Sequence, residues 1–341
     1  MVSFQAVQTS NAAIPTALPP GLVAVFVGAT SGIGEYTLKA FAKHAIQPRV
    51  YFIGRSQASA DRITKECKAL NPEGEFVFLK VDVSLMKNVD DVCRVIKTKE
   101  DVINLLVLSQ GALTPTEVTS ENLRNAIALA YYSRTRFIVN LLPLLQRASA
   151  LRRVVSILAG GREGWPDLND WPLWKTNNPL AVRRHITSMV TLSLEHLSKQ
   201  APDVSFVHDF PGAVRSNLAK GNTALHIVLR TVLAIVGPFV YMPNDESGER
   251  HLFLATSVRY PPAKQAQDAV NAVPLEKGPV TIAQGTDGSD GSGVYTPDAQ
   301  CESPGPKVVA LVAKMRDEGV TEKLWEHTEA EFMRICGTVA T

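Results

Sequence analysis

Short apolar runs alternate with amphipathic segments through the first two thirds of the chain. The first run, at residues 22–27 (LVAVFV), is continuously apolar, as expected of a strand buried on both faces of a sheet. Strands are predicted at 22–27, 50–53, 76–81, 103–108, 154–158 and 204–208, and helices at 33–45, 59–70, 87–97, 121–146 and 180–199. This alternation predicts an α/β fold, in which a doubly wound parallel sheet carries helices on both faces.

The predicted domain organisation is a single domain with a C-terminal extension. Residues 1–20 end in two prolines and predict a flexible N-terminal arm. Residues 21–260 hold the six strands and form the predicted catalytic domain. Residues 261–341 begin with a stretch rich in proline, glycine, aspartate and serine, which is typical of loops. In this loop-rich extension we expect a short strand near 294–295 and a final helix at about 306–335.

One apolar segment, at residues 225–241, raises the question of whether it spans or contacts a membrane. It is shorter than the roughly 20 apolar residues of a membrane span. It also contains His226 and Arg230, and a Gly-Pro pair interrupts it. We therefore expect a lid or core helix rather than membrane contact, and we predict a substrate lid at about 215–245.

Composition and charge narrow the functional class. The chain has 341 residues, 45% hydrophobic and 20% charged, which excludes a disordered or coiled-coil protein. The net charge of +2, from 35 basic and 33 acidic residues, argues against nucleic-acid binding. The four cysteines form no CxxC unit and the N-terminus does not resemble a signal peptide, so we expect reduced thiols, no metal site and a cytoplasmic protein.

The first predicted strand runs into the sequence GATSGIG, where a helix begins. Glycines let a backbone approach a pyrophosphate, and a helix N-terminus offers free N–H donors and the positive end of a dipole. The alternative is an ordinary glycine-rich turn, but the surrounding strand, helix and second strand favour dinucleotide binding. The predicted cofactor contacts in this turn are Gly28, Thr30, Ser31, Gly32, Ile33 and Gly34.

The ends of the next strands add four predicted cofactor contacts. Arg55 follows the second strand, where an acidic residue would bind the ribose 2′-OH of NAD; an arginine suits a 2′-phosphate, so we predict NADP(H). The alternative for Arg55 is a solvated surface charge. Asp82, with Val83 beside it, either caps the next helix or binds the adenine amino group. Gly111 would let the backbone lie against the cofactor.

These residues together resemble the short-chain dehydrogenase/reductase superfamily. The resemblance covers roughly residues 20–260 and rests on GATSGIG, Asp82-Val83, Gly111-Ala112 and Pro211-Gly212. It implies a Rossmann sheet with NADP(H) across the strand ends, cofactor contacts at Pro211 and Gly212, a substrate loop after them, a small-molecule substrate, and dimers or tetramers. The long tail, with GSGVY and WEHT, is similar to that of fungal members from secondary metabolism.

The proton-transfer residues of that superfamily are missing from this sequence. Its members use a serine after the fifth strand and Tyr-x-x-x-Lys on the next helix, where the tyrosine acts as a general acid. Here the serine position falls near Leu158-Ala159-Gly160, and the helix reads LAVRRHITSM. No tyrosine lies between Tyr132 and Tyr241. The resemblance therefore implies an intact cofactor half beside a rebuilt acid site.

Several residues are candidates to replace the missing acid. Arg134 shares a helix face with Tyr131, and it either polarises a substrate oxygen or forms a structural ion pair. Tyr132 falls near the superfamily's helix asparagine, and His185 near its lysine. The predicted catalytic residues are Arg134, Tyr132, Tyr131, Asp167 and His185. The predicted partners of Arg134 lie in the loop after the fifth strand: Glu163, Trp165, Asp167, Asp170 and Trp171. Arg183 and Arg184 are predicted to replace the charge of the superfamily's lysine.

The sequence leads to one functional hypothesis with two alternatives. The first is an NADPH-dependent reductase of a carbonyl or imine/iminium group in a small apolar metabolite. The second is a non-redox isomerase, cyclase or pericyclase, because the usual acid is lost. The third is a non-catalytic NADP(H)-binding partner. Under the first, replacing Arg134 with alanine is expected to abolish turnover but not cofactor binding.

Overall fold

Seven parallel strands form the sheet, in the order β3-β2-β1-β4-β5-β6-β7. The computed structural model describes residues 1–112, 117–214, 241–264 and 272–341. The strands are β1 Val23–Val27, β2 Arg49–Gly54, β3 Glu75–Lys80, β4 Leu105–Leu108, β5 Arg153–Ile157, β6 Ser205–Asp209 and β7 Val294–Tyr295. The predicted parallel sheet is confirmed. Its strand order reverses between β1 and β4, and this reversal opens a crevice at the carboxyl ends of those strands.

Helices cover both faces of the sheet and bury one apolar cluster on each side. The helices are α1 Phe4–Ala12, α2 Ile14–Ala17, α3 Gly32–His44, α4 Gln57–Leu70, α5 Met86–Lys97, α6 Asn125–Ile127, α7 Ser133–Arg147, α8 Pro179–Gln200, α9 Asn244–Thr256, α10 Pro306–Asp317 and α11 Val320–Cys336. One cluster joins the sheet to α5, α7, α8 and α11, and the other joins it to α1, α3, α4 and α9. In the described parts of the chain, no helix has both the length and the apolarity needed to cross a bilayer.

The prediction of a flexible N-terminal arm is wrong, because the first residues form two docked helices. The Ser3 hydroxyl caps α1 by accepting the Ala6 N–H at 3.1 Å. Val7 and Ile14 are fully buried against the apolar cluster on this face. The Asn11 amide donates to the backbone oxygen of Glu249 on α9 at 2.8 Å and to its carboxylate at 2.7 Å. The apolar spacing thus outweighs the proline-rich end of this segment.

The Glu249 carboxylate makes the free energy of unfolding depend on pH in the acidic range. Burial alone raises its pKa, but hydrogen bonds from His44, Asn11 and Lys43 outweigh burial and lower the pKa to about 2. A carboxyl whose pKa is lowered on folding stabilises the native state above its unfolded value of 4.5, and this stabilisation is lost as pH falls towards 2. We expect Glu249→Gln to flatten the fall in the free energy of unfolding, measured with urea, between those pH values. The exposed Glu276 provides the control: an equal effect of Glu276→Gln contradicts the assignment.

Two predicted helices differ in detail from the observed ones. The helix predicted at 121–146 begins with the short α6, continues as a π-helical turn at Ala128–Tyr132 and then becomes α7. The final helix is two helices, because Gly319 adopts a left-handed conformation with φ of 68° and separates α10 from α11. The predicted lid lies outside the described residues over 215–240, and its last two residues already belong to α9.

The C-terminal extension closes one face of the domain. Helix α11 packs against α8, with Leu324 and Phe332 fully buried. Beyond α11, the chain end is held by Arg136 of α7, which donates to Asp90 of α5 at 2.6 Å and to the Thr338 carbonyl at 2.8 Å. The last residues are therefore anchored to this face, although none of residues 337–341 is buried.

Candidate active site

The glycine-rich turn after β1 has a conformation that requires glycine. Gly28 and Gly32 have φ values of 81° and 63°, in the left-handed region. A Cβ atom on Gly28 would lie 2.6 Å from the backbone nitrogen of Gln110, so the turn after β1 and the segment after β4 touch through their backbones. This close approach is the reason for the first glycine of the motif.

The same turn presents unused hydrogen-bond donors. Ser31 precedes α3, yet its side chain does not cap the helix. Among the described residues, the hydroxyl groups of Thr30 and Ser31 have no hydrogen-bond partner, and both residues are partly exposed. Free N–H groups at a helix N-terminus together with two hydroxyls suit the oxygens of a pyrophosphate. Gly32, Ile33 and Gly34 form the first turn of this helix. The turn therefore fits a dinucleotide.

Arg55 and Asp82 lie at the carboxyl ends of β2 and β3. Arg55 is exposed, and its guanidinium makes no ion pair within the described ranges. The Asp82 carboxylate accepts the Ser84 N–H at 3.0 Å and so closes a turn. It does not cap α5, whose first N–H group donates to Glu121 at 2.6 Å; the helix-cap alternative for Asp82 is wrong. Val83 is buried in the core.

Three further predicted cofactor contacts lie at the same edge of the sheet. Gly111 is exposed just after β4, two residues before the chain leaves the described range. Pro211 and Gly212 follow β6 and are partly exposed. Gly212 has a φ of 72°, and a Cβ atom there would meet the Ala299 side chain at 2.9 Å. The structure thus brings the predicted cofactor residues to one edge, with Val83 beneath the surface.

Arg134 is buried and bound to backbone, which contradicts the prediction that it polarises a substrate oxygen. Its guanidinium is fully buried below the ends of β4 and β5. It donates to the carbonyl groups of Leu108 at 2.7 Å, Gln110 at 2.6 Å and Ile157 at 3.0 Å, and to the Ser156 hydroxyl at 2.8 Å. Burial lowers the pKa of Arg134 to about 9, so the group stays charged at neutral pH. Arg134 holds two strand ends together.

Both predicted tyrosines point towards the C-terminal helix instead of the crevice. The Tyr131 hydroxyl lies 2.8 Å from Ser193 of α8 and 2.5 Å from Thr328 of α11. The Tyr132 hydroxyl lies 2.7 Å from Nε2 of His327 on α11. Both tyrosines are fully buried, and burial raises their pKa values. Their place in the structure contradicts a role as proton donors and assigns them to helix packing.

His185 and Asp167 are bound to the loop between β5 and α8. Nδ1 of His185 accepts the Asp167 N–H at 3.0 Å, and Nε2 lies 3.1 Å from the Trp171 carbonyl. Nε2 therefore carries the ring proton and donates it to a backbone oxygen. Burial lowers the pKa of His185. The Asp167 carboxylate is exposed and accepts the Asn169 N–H at 2.9 Å. The predicted donor role of His185, and a pair between Asp167 and Arg134, are contradicted.

The other candidate residues of this loop make contacts that do not involve Arg134. The Asp170 carboxylate caps a turn by accepting the N–H groups of Trp174 at 2.8 Å and Lys175 at 2.7 Å. Trp171 stacks on His327 with 6.1 Å between ring centroids. Trp165 is exposed beside Lys314. Neither aspartate pairs with Arg134. Arg183 and Arg184, predicted as substitutes for the lysine, are exposed at the start of α8.

A buried chain of hydrogen bonds lies beneath the segment after β5. The Ala159 N–H donates to Nε2 of His208 at 3.3 Å, and Nδ1 of His208 lies 2.9 Å from the Thr191 hydroxyl. Thr191 donates to Oε1 of Glu163 at 2.7 Å, and the Gly161 N–H donates to the same oxygen at 3.2 Å. Sequence reasoning named Glu163 but missed Thr191 and His208, because neither belongs to a recognisable motif.

The comparisons with known proteins agree with this fold. A family model described as short chain dehydrogenase matches residues 22–161. A protein named Oxidoreductase AN1596, from Emericella nidulans, is 39% identical over 97% of this chain and 98% of its own. The chain belongs to the short-chain dehydrogenase/reductase superfamily. Within this superfamily, Short-chain dehydrogenase/reductase SAT2 from Stachybotrys chartarum is 29% identical over 96% of each chain.

A reductase of known structure has the same fold. It is L-sorbose reductase from Gluconobacter frateurii, determined in complex with NADPH and L-sorbose. The TM-score is 0.52, the sequence identity is 16%, and the match covers 77% of this chain and 97% of the reductase. At this identity the likeness concerns the fold alone.

Proposed function

We propose that this protein is an NADPH-dependent reductase of a carbonyl or imine/iminium group in a small apolar metabolite. The proposal is carried by the turn from Gly28 to Gly34, which combines a close backbone approach with unused hydroxyl and N–H donors. Arg55 beside β2, which has no ion-pair partner in the part of the chain that the structure describes, supplies a cation for a 2′-phosphate. The relatives named as oxidoreductases, and the fold shared with a reductase solved with NADPH, support the same function.

The residues of the crevice would bind the cofactor and orient its nicotinamide. When bound, the reduced nicotinamide supplies a hydride. The turn after β1 would hold the pyrophosphate, Arg55 the 2′-phosphate, and the backbone at Gly111 and Gly212 the inner part of the cofactor. Fixed orientation of this kind contributes to catalysis by itself. The proton needs another source than the superfamily's tyrosine, because Tyr131, Tyr132 and His185 are all engaged elsewhere.

The proposed reaction is tested by measuring the consumption of NADPH as a loss of its absorbance. The purified chain is incubated with aldehydes, ketones, cyclic imines and N-alkyl iminium salts, and products are identified by mass spectrometry. We expect one product with two added hydrogens for each NADPH consumed by a carbonyl or imine substrate. Product formation without loss of NADPH would instead support an isomerase or cyclase, and cofactor binding without any product would support a non-catalytic partner.

Arg55 determines the preference for the phosphorylated cofactor under this proposal. A hydrogen bond to a charged group is worth about 1.5 to 3 kcal/mol, so Arg55→Ala is expected to weaken NADPH binding roughly 10- to 100-fold. The affinity for NADH should change less than about 3-fold. Calorimetric titration of both cofactors measures the two values. Arg147, which is exposed in the last turn of α7 at the opposite edge of the sheet, provides the control. Equal losses for NADPH and NADH would refute the role of Arg55.

A further inference from the structure

The segment after β5 carries a carboxyl group that occupies the neighbourhood of the missing serine. Glu163 lies five residues after Leu158, where the superfamily's serine position begins, and its carboxyl group folds back under Gly161. Only 7% of the residue is exposed. Within the described ranges, no lysine, arginine or histidine pairs with it, so its charge has no direct counter-ion.

The two oxygens of this carboxyl group have different surroundings. Oε1 accepts hydrogen bonds from the Thr191 hydroxyl and the Gly161 N–H. Oε2 is buried and has no hydrogen-bond partner among the residues that the structure describes. This is the arrangement expected of a protonated acid whose carbonyl oxygen is Oε1 and whose hydroxyl is Oε2–H. Within the described ranges, the proton on Oε2 therefore has no acceptor.

The hydrogen-bond chain behind Glu163 runs in one direction. Because Nε2 of His208 accepts the Ala159 N–H, the ring proton of His208 lies on Nδ1 and points to Thr191. The Thr191 hydroxyl then has to donate to Glu163. This chain stabilises the carboxylate that remains after the proton leaves, and it engages Oε1 but not Oε2.

The ionisable groups around Glu163 favour retention of its proton. Burial raises the pKa of Glu163, and the nearby Glu195 of α8 raises it further, although the hydrogen bonds to Oε1 act in the opposite direction. Glu195 is itself paired with Arg316 of α10 at 2.5 Å. Burial lowers the pKa of His208 to about 3, so this ring of β6 is neutral. Arg162, next to Glu163 in the loop, extends over the Phe210 ring instead.

We propose that Glu163 is the proton donor of this active site and delivers its proton from Oε2 to the substrate. The inference rests on the proposed reductase function. As the hydride adds to the carbonyl carbon, the electron pair of the C=O bond moves to oxygen. The Oε2–H bond breaks and an O–H bond forms on the product. The carboxylate left behind is held by Thr191 and Gly161, and solvent restores the proton after product release.

The first experiment detects the proton itself and needs no cofactor or substrate. The infrared C=O stretch of protonated carboxyl groups is recorded on the full chain at neutral pH. We expect a band that is lost in Glu163→Gln and retained in Glu195→Gln, the matched buried glutamate on α8. If Glu163→Gln leaves the spectrum unchanged, the carboxyl group is ionised and the proposal is overturned.

The second experiment compares two substrates that differ in their need for a proton. A tetralone requires a proton after hydride addition, whereas an N-methyl dihydroisoquinolinium salt of similar size does not. General acids contribute about 10²- to 10⁴-fold, so Glu163→Gln should slow ketone reduction by that factor and iminium reduction less than about 3-fold. Thr191→Val should slow the ketone reaction by a smaller factor, because it removes one donor to the product carboxylate.

Equal loss with both substrates, or no loss with either, would overturn the proposal, because a merely structural glutamate would not distinguish them. Calorimetry with NADPH and thermal unfolding of each variant show whether the cofactor site and the fold are intact. If the wild-type chain reduces neither probe nor any other carbonyl or imine, the proposed function fails. In that case the infrared band still decides whether Glu163 carries a proton.

Discussion

Gly28→Ala is expected to abolish NADPH binding and to destabilise the fold by about 2 to 5 kcal/mol. Two costs add together at this position. The φ of 81° lies in the left-handed region that alanine avoids, and the new methyl group would lie 2.6 Å from the Gln110 nitrogen. Since the methyl group meets backbone, no side-chain rotation relieves the contact, and the turn has to move away from the segment after β4. Calorimetry with NADPH and urea unfolding measure the two effects.

Gly21 provides a matched control for the backbone cost. Its φ is 77°, but no atom lies within 4 Å of the position where a Cβ would be built. Gly21→Ala should therefore cost only the conformational penalty, about 1 to 2 kcal/mol, and leave NADPH affinity unchanged. If Gly28→Ala behaves like Gly21→Ala, the contact between the turn and Gln110 has no role in the cofactor site.

Arg134→Met is expected to lower the free energy of unfolding by about 3 to 5 kcal/mol, the cost of breaking a buried charged network. Methionine fills part of the same space but cannot donate to the Leu108, Gln110 and Ile157 carbonyls or to Ser156. Leu108 and Ile157 are the last residues of β4 and β5. Loss of their hydrogen bonds should therefore loosen the crevice, and NADPH affinity should fall together with stability. Urea unfolding and cofactor titration measure both quantities.

This result would differ from the one expected on the sequence alone, in which turnover is lost and cofactor binding is kept. Arg183→Met is the control, because Arg183 is exposed at the start of α8 and a surface change of this kind costs within about 0.5 kcal/mol. Loss of turnover in Arg134→Met with unchanged stability and unchanged NADPH affinity would restore a direct role for this arginine in the reaction.

Strand positions and sheet topology could be predicted from local patterns, because each buried parallel strand is a short, continuous apolar run. The six strands predicted before residue 209 all lie within two residues of the observed ones. The N-terminal arm differs from the prediction because the prolines at its end favour irregular chain, whereas burial of Val7 and Ile14 holds it as two helices. The helix break at Gly319 was missed because one glycine in a helical pattern is compatible with either outcome.

In the candidate site, the cofactor-binding turn could be predicted from the sequence, whereas the acid site could not. The cofactor turn is local, since a strand, a glycine motif and a helix follow each other in the chain, and it could be predicted. The acid site depends on contacts between distant segments. The family resemblance places Tyr132 near the superfamily's helix asparagine, yet its partner His327 lies 195 residues further along the chain. Likewise, nothing near Glu163 in the sequence indicates that Thr191 and His208 will lie beneath it.

The docking of α11 has a consequence for folding during synthesis. Helix α11 covers the apolar side of α8, although more than 100 residues separate the two helices in the chain. Until α11 has been synthesised, that side of α8 has no cover, so the nascent chain exposes apolar surface. Synthesis of α11 is therefore the step that allows this face to close.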